Sequence, residues 1–369
     1  MIRVAGLRAF GTLDRYVLRL FLASYATAFF LVVGLLLILD LASNLDGYLA
    51  PDEGERAASG LEILHFYALQ VPFLFLGVSP FVTLIAGLFT GARLSRSREI
   101  VAVLDAGVSA RRTFGMVLLA GTCAAVGMFA LREWVGERLS FERNLAQDRV
   151  AEHRERPVWQ TFWVPDVEGR SWRIGSYRPG YDDVPPTIEH LVGRYRGAEG
   201  VVEVRAERAT WSKGEWRLAG GLRRSSSGHE QREEAIERSG EFSVTPSDLL
   251  LAIQERDNAL DLSYRQATYL LTREPDSTSL ETVRQYHLTF PIAGLVLLLV
   301  GLPFVALPKR GGGLERIGVG FLLCMGYFVV DFIFRTLGMQ GQIDALYAAW
   351  VPLIVFGSLG LVLFGGMRT

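Results

Sequence analysis

The residues that could do chemistry in this chain are charged groups placed beside or inside apolar segments. Glu99 follows a run of arginines in a polar stretch between two apolar segments. Asp331 and Arg335 lie four residues apart inside another apolar segment, and this spacing puts both on one face of a helix. Groups of this kind can bind a partner protein, contact a charged headgroup or pair with each other.

Motifs for covalent, nucleotide or metal chemistry are missing from the sequence. It has no G-x-x-x-x-G-K-[ST] loop, no H-E-x-x-H and no G-x-S-x-G. The five histidines are scattered without metal-ligand spacing, and Cys123 and Cys324 both lie in apolar runs. We therefore expect no catalytic residue, no metal site, no cofactor and no disulfide framework.

Composition narrows the class of protein further. The 38 basic and 39 acidic residues nearly cancel, which argues against a strongly basic nucleic-acid binder. Half of the residues are hydrophobic and 39 are glycine. Long apolar runs with abundant glycine are typical of packed transmembrane helices, in which small residues let backbones approach closely.

Six apolar segments are long enough to cross a bilayer, which takes about 20 residues. They are Leu20–Leu41, Ile63–Ala92, Thr113–Leu131, Leu288–Leu307, Leu314–Leu337 and Leu346–Gly366. About 155 residues of different character separate the third segment from the fourth. The chain thus divides into an N-terminal membrane half (1–132), an inserted domain (133–285) and a C-terminal membrane half (286–369).

The inserted domain has the pattern of a β-structure. Short runs rich in Val, Ile, Tyr and Trp are bounded by Gly, Pro, Asp or Ser, as strands are. The predicted strands are Val158–Val164, Trp172–Tyr177, Ile188–Tyr195, Val201–Ala206, Trp216–Leu222 and Glu241–Val244. Strict alternation along the first strand would place Trp159 and Trp163 on one face and Phe162 on the other. The tryptophans of the inserted domain either fill a core or line an apolar groove for a lipid tail.

The fold class predicted is therefore an α-helical membrane protein with six transmembrane helices, arranged three and three around an all-β domain like a jelly roll. Basic residues in short loops set the orientation. One set of alternate loops and both termini are basic: Arg3, Arg8, Arg15, Arg19, Arg93, Arg96, Arg98, Arg111, Arg112, Lys309, Arg310, Arg316 and Arg368. The opposite loops hold one base and several acids: Arg56, Asp46, Asp52, Glu53, Glu55, Glu62 and Asp344. Both termini are predicted to be cytoplasmic, and the inserted domain is predicted to lie across the membrane.

The segment Arg93–Arg112 predicts a short cytoplasmic helix. Glu99–Asp105 carries apolar positions, Ser95 and Ser97 are candidate N-caps, and Gly107 is a candidate stop. Such a helix could lie on the headgroups, turn the chain, or dock into a groove of a cytoplasmic partner. If it docks, Arg93, Arg96, Arg98, Glu99, Val103 and Leu104 are the candidate contacts.

Several stretches, in order, resemble the LptF/LptG (YjgP/YjgQ) permeases of lipopolysaccharide export. LDRYVLRLFL (Leu13–Leu22) is similar to the opening of the first helix, and SRSREIVAVLDAGVS (Ser95–Ser109) is similar to the coupling-helix motif. REWV (Arg132–Val135), LSYRQATYLL (Leu262–Leu271) and FPIAGLVLLLVGLPF (Phe290–Phe304) resemble later parts of the family pattern. The resemblance covers essentially the whole chain and is weakest in the strand region.

This resemblance implies a transmembrane subunit of an ABC transporter in the bacterial inner membrane, without enzymatic activity of its own. The implied partners are a second LptF/LptG-type permease, a dimer of the LptB-type ATPase, and LptC- and LptA-type bridge proteins in the periplasm. The implied cargo is lipopolysaccharide, extracted from the membrane and passed through the jelly rolls. Glu99 matches the acidic residue with which the family's coupling helix engages the ATPase.

The opening LDRY and the stretch FVVDFIFRTLG (Phe328–Gly338) look more like LptG. Some LptG proteins carry lysines along the outer first helix, whereas this chain reads LDLASNLDGY there, with Asp40 and Asp46. The candidate residues of the lipid path are Asp40, Asp46, Phe162, Asp331 and Arg335. Asp331 and Arg335 could equally form a structural pair.

Other functional classes fit the sequence less well. A mechanotransmission-type ABC permease typically has four spans with its large domain directly after the first, unlike the arrangement here. A lipid-modifying enzyme would need convergent catalytic groups near one membrane face, which the sequence lacks. A periplasmic scaffold or receptor would explain the β-domain but not the coupling-like loop.

Overall fold

The structure is a computed structural model that describes most of the chain. It covers residues 11–49, 58–151, 158–166, 168–180, 184–197, 200–227, 230–238, 240, 242–306 and 313–367. Predicted features that lie outside the described residues are Arg3, Arg8, Asp52, Glu53, Glu55, Arg56, Glu241, Leu307, Lys309, Arg310 and Arg368.

Six described helices are long and apolar enough to cross a membrane, which confirms the predicted arrangement of three and three. Three precede the inserted region: α1 (Thr12–Leu49), α2 (Gly60–Arg96) and α4 (Ala110–Arg138). Three follow it: α8 (Thr278–Ala306), α9 (Gly313–Met339) and α10 (Ala345–Gly365). A short helix, α3 (Glu99–Asp105), lies between α2 and α4.

Helix α8 is the most buried of the six apolar helices, and its packing depends on glycines. The side chain of Leu298 is fully buried against Gly87 of α2 and Gly121 of α4. A Cβ atom at either glycine would come within 2.2 or 2.5 Å of a Leu298 methyl carbon. These two glycines therefore let one leucine sit between two neighbouring helices, as small residues do in membrane bundles.

The chain divides into two compact units. One, the membrane unit, comprises the described residues within 1–43, 70–135 and 281–369. The other, the inserted unit, comprises the described residues within 44–69 and 136–280.

One antiparallel sheet forms the centre of the inserted unit. Its strands are β1 (Trp159–Pro165), β2 (Ser171–Arg178), β3 (Thr187–Gly197), β4 (Gly200–Ser212), β5 (Glu215–Ala219), β6 (Leu222–Ser227) and β7 (Glu230–Ala235). Their order is β1-β2-β3-β4-β6-β7, and β5 pairs with β4 beside β6. The predicted β-region between the third and fourth membrane helices is thus confirmed.

The inserted unit also contains helices. They are α5 (Ser140–Ala151), α6 (Pro246–Asn258), a 3₁₀ turn at Ala259–Asp261, and α7 (Tyr264–Leu271). Trp172, Ile188 and Val204 of the sheet share one buried core with Leu249 and Ile253 of α6. The inserted region therefore combines a sheet with helices, of which α6 packs on the buried face of the sheet.

Two predicted strands differ from the structure. The segment Trp216–Leu222 is not one strand, because Gly220 adopts a φ of 65° that ends β5 and allows a new strand to start at Leu222. The described part of Glu241–Val244 forms no strand, although Phe242 and Val244 are buried in the core. Their apolar pattern reflects burial rather than pairing.

A crease crosses four strands of the sheet. We define the crease as the row Thr161, Gly175, His190 and Glu207, which contributes no ladder pair although the positions on both sides of it are paired. The backbone φ is 35° at Thr161 and 56° at His190, in the left-handed region that most residues avoid. A Cβ at Gly175 would come within 2.7 Å of the His190 Cβ, so the close approach suits glycine.

The crease shifts the alternation of buried side chains by one position. Two successive residues of each strand are less buried there: Gln160–Thr161, Gly175–Ser176, Glu189–His190 and Glu207–Arg208. Beyond the crease the buried positions resume, so that Ile174 and Tyr177 both face the core. The same face of the sheet is therefore buried on both sides of the crease.

The expectation for the first strand was wrong for this reason. Trp159 packs against the same core as Phe162, and it stacks on Tyr177. Trp163 does not share the face of Trp159, since it is 63% exposed. Strict period-two alternation fails because the crease lies between Trp159 and Phe162.

The left-handed backbone at His190 gives the first testable prediction. His190→Gly should leave the inserted unit more stable than His190→Ala by about 0.5–1 kcal/mol, because glycine adopts this φ without the penalty that Cβ imposes. The imidazole is exposed and is lost in both variants. Thermal unfolding of the full chain in detergent measures the difference, and equal stability of the two variants would contradict the strained crease.

Candidate functional site

The short helix α3 is held to the membrane unit by its apolar side chains, of which Ile100 is the fully buried one. Ile100 is fully buried in a cluster with Leu94 of α2 and Phe114 of α4, and Val101 and Leu104 pack against the same cluster. The helix begins at Glu99 and ends at Asp105, as the sequence predicts. Its apolar side therefore faces helices of its own chain rather than being wholly free.

The predicted serine N-caps of α3 differ from the structure, whereas its predicted stop does not. The N-cap residue is Arg98, in a left-handed conformation with no side-chain cap, instead of a serine. Ser95 donates its hydroxyl hydrogen bond to the Val305 carbonyl, and Ser97 donates to the Arg93 carbonyl. The serines do not cap α3, because Ser95 bonds a carbonyl near the end of α8 and Ser97 bonds the last turn of α2. Gly107, with a φ of 77°, ends the helix as predicted.

The charged residues of this segment form an exposed rim. Arg93, Arg96 and Arg98 are exposed, whereas Glu99 is half-buried and lies near the Tyr16 hydroxyl of α1. Val103 and Leu104 are also half-buried. The structure thus brings together the six predicted coupling residues, with cations around a single carboxylate and a partly exposed apolar strip.

A polar network centred on Tyr286 lies within the membrane unit. The Tyr286 hydroxyl accepts a hydrogen bond from Arg335 Nη1 at 2.7 Å and donates one to Asp331 Oδ2 at 3.4 Å. Asp331 is buried in α9 and also faces the hydroxyl of Tyr327. The two predicted residues are therefore linked through a phenol on α8.

Arg132 adds a second cation to this network. Its guanidinium carbon lies 5.9 Å from the ring centre of Tyr286 and 5.6 Å from that of Phe290. The Arg335 guanidinium lies 4.7 Å from the Tyr286 ring centre. Two guanidinium groups and one carboxylate thus lie around a buried phenol.

Sequence analysis did not identify Tyr286 as a functional residue. Tyr286 lies one turn before the apolar run of α8, and Arg132 lies at the end of the apolar run of α4. A search for polar side chains at the same end of several spans would have found both, because such residues usually face the inside of a bundle.

The remaining lipid-path candidates lie in different surroundings. Phe162 is buried in the core of the inserted unit and lines a cavity there. Asp40 is half-buried and Asp46 is exposed, both on α1. Among the described residues, no group of three or more His, Cys, Asp or Glu side chains could hold a metal ion.

Comparison with known proteins gives one clear match. A family model described as "Lipopolysaccharide export system permease LptF/LptG" matches residues 15–365, which is nearly the whole chain. A search of curated proteins returned no match.

The Tyr286 network gives a prediction about stability. Tyr286→Phe should destabilise the membrane unit by about 1–3 kcal/mol, because Asp331 and Arg335 lose the hydroxyl that joins them. Tyr347→Phe is the matched control, since the Tyr347 side chain on α10 is 63% exposed. Thermal denaturation of both variants in the same detergent tests this, and an unchanged midpoint for Tyr286→Phe would contradict a structural role.

Proposed function

Because the chain belongs to the LptF/LptG family of lipopolysaccharide export system permeases, we propose that it is the membrane subunit through which a cytoplasmic ATPase drives lipid extraction. The exposed rim of α3, fixed to α2 and α4 through Ile100, is the observation that supports this proposal. Whether the chain corresponds to LptF or LptG stays a prediction, with Phe328–Gly338 as its LptG-like stretch.

The coupling step follows from how α3 is attached. An LptB-type ATPase dimer would bind the half-buried strip of Val103 and Leu104, with Glu99 reaching a basic pocket and the arginine rim facing acidic groups. Ile100 packs between residues of α2 and α4, so a displacement of α3 must move those helices. ATP energy would enter this subunit as mechanical displacement.

The lipid would be bound inside the membrane through its phosphates. The network of Arg132, Tyr286 and Arg335 offers guanidinium donors, which suit phosphate oxygens. Asp331 holds the phenol and so orients Arg335 rather than contacting the lipid itself. Asp40 and Asp46 carry no positive charge, so we assign them no phosphate contact.

Two further partnerships complete the proposal. Helix α1 is the least buried of the six apolar helices and exposes Leu31, Leu35 and Ile38, which suits pairing with a second LptF/LptG-type permease. The inserted unit would be periplasmic and would hand the lipid to LptC- and LptA-type bridge proteins. Phe162 stays a candidate for the lipid path in this unit.

Charge reversal in α3 tests the coupling step. Glu99→Lys should abolish export and weaken co-purification of the ATPase, since a buried charge contact at an interface is worth about 2–5 kcal/mol. The matched control is Asp105→Lys, an exposed position of the same helix that points away from Glu99. Normal export and normal co-purification of Glu99→Lys would refute the assigned contact.

Accessibility to an impermeant thiol reagent tests the orientation. With Cys123 and Cys324 replaced, a cysteine at Ser225 should react in spheroplasts and a cysteine at Ser97 should react only after lysis. The basic residues around Ser97 should keep that loop in the cytoplasm. Labelling of Ser97 but not of Ser225 in intact spheroplasts would reverse the proposed topology.

A further inference from the structure

The inserted unit contains a cavity whose charged lining the transport proposal does not use. Its volume is about 420 Å³, and it lies between β1, α6 and the segment that joins α7 to α8. Phe162, Val164 and Leu270 provide an apolar wall, whereas Glu255, Arg273 and Glu274 provide charged groups. A cavity with one apolar wall and a few convergent polar groups is the usual form of a small-molecule site.

Arg273, which lines this cavity, has side-chain nitrogens without a hydrogen-bond acceptor. Its side chain is 5% exposed, and Nη2 donates to Asp248 Oδ2 at 2.8 Å and to the Tyr269 hydroxyl at 2.7 Å. Nε and Nη1 are buried and have no hydrogen-bond partner among the described residues. Buried guanidinium donors without an acceptor are rare, because a buried polar group loses its bonds to water.

Asp248 cannot supply the missing acceptor. It caps α6 by accepting from the Thr245 backbone N–H at 2.8 Å and from the Thr245 hydroxyl at 2.7 Å. It also accepts from the Tyr269 hydroxyl at 2.8 Å. With the Arg273 bond, Oδ2 accepts three hydrogen bonds and Oδ1 accepts one, and neither oxygen accepts from Nε or Nη1. A ligand or water in the cavity can supply the acceptor for these two nitrogens.

Two carboxylates supply the opposite charge in the same cavity. Glu255 on α6 is half-buried, and Glu274 follows α7; neither forms an ion pair within the described part of the chain. Burial, with the nearby Glu274 charge, raises the pKa of Glu255 to about 7. A positive group placed between the two carboxylates would offset the cost of burying the ionised Glu255 and would reduce its repulsion with Glu274.

We propose that this cavity binds a zwitterionic phosphodiester of the phosphoethanolamine type, with the phosphate on Arg273 and the ammonium on Glu255 and Glu274. The apolar wall would contact the carbons beside the phosphate. A simple anion fits less well, because the lining carboxylates Asp248, Glu255 and Glu274 outnumber Arg256 and Arg273. The site goes beyond the proposed transport function and requires neither the ATPase nor a bridge protein.

The test compares the whole ligand with its two halves. The full chain in a nonionic detergent is titrated with glycerophosphoethanolamine, with dimethyl phosphate and with ethanolamine, by calorimetry or ligand-observed NMR. The zwitterion should bind at least about tenfold more tightly than either half, because its two ends share one binding event. No binding of glycerophosphoethanolamine, or equal binding of dimethyl phosphate, overturns the proposal in favour of a water-filled cavity or a plain anion site.

Substitutions locate the site. Glu255→Gln and Glu274→Gln should each weaken glycerophosphoethanolamine binding by about five- to tenfold while leaving dimethyl phosphate unaffected, because only the ammonium contact is lost. Asp276→Asn is the matched control, an exposed carboxylate two residues from Glu274 that does not line the cavity. Arg273 also holds Asp248, so Arg273→Gln can disturb folding, and the glutamate variants carry the test. Unchanged affinity in both glutamate variants overturns the assignment.

The pH dependence has a defined sign. The charged groups that face Glu255 are Asp248 and Arg256 of α6 and Arg273 and Glu274 beyond α7, and β1 contributes none. The ammonium prefers the ionised carboxyl, so zwitterion affinity should rise by up to about tenfold from pH 6 to pH 8. The rise should vanish in Glu255→Gln, and a fall over this range overturns the proposal.

Two sources could supply this chemistry, a membrane lipid headgroup or a soluble phosphodiester. Native mass spectrometry of the full chain distinguishes them. Retained phosphatidylethanolamine that glycerophosphoethanolamine displaces supports a lipid headgroup. Binding of the soluble probe without any retained lipid supports a soluble ligand at the same site.

Discussion

The membrane unit depends on the close contact between Leu298 of α8 and two glycines. Apolar helices gain little from burying apolar surface in a bilayer, because lipid tails are as apolar as their side chains. Association therefore rests on shape, and Gly87 and Gly121 provide the two surfaces on which Leu298 fits. With α8 fixed this way, Tyr286 lies where it meets Arg335 and Asp331 of α9. The same contact thus positions the polar network.

The short helix α3, the Tyr286 network and the cavity of the inserted unit are each held in place by a different kind of interaction. α3 is held by its apolar side chains, with Ile100 fully buried, and leaves its charges outside, which suits a surface that must bind and release a partner. The Tyr286 network is held by hydrogen bonds between helices, which suits a site inside a membrane. The cavity of the inserted unit is bordered by the capping box of α6, in which Thr245 fixes Asp248 and Asp248 fixes Arg273.

The sequence predicted what depends on long apolar runs and on local turns. All six spans were recognisable because each apolar run is long enough to cross a bilayer. Helix α3 was recognisable because Glu99–Asp105 is bounded by polar residues and Gly107. The crease was not predictable, because its left-handed residues include Thr161 and His190, which carry no signal of that conformation. Tyr286 and Arg273 were missed because their roles depend on partners that are distant in sequence or enclosed by packing.

The crease has a mechanical consequence for the sheet. The interstrand hydrogen bonds of an antiparallel sheet run perpendicular to its strands, and therefore parallel to the crease. Along Thr161, Gly175, His190 and Glu207 no ladder pair is formed within the described strands. Bending about this line changes the backbone torsions of the strands and the packing of the core beneath, and it leaves the lengths of the neighbouring interstrand hydrogen bonds nearly unchanged. The two halves of the sheet can thus move relative to each other about the crease. A force applied at one end of the sheet would change the angle between the two halves before it broke any strand pairing.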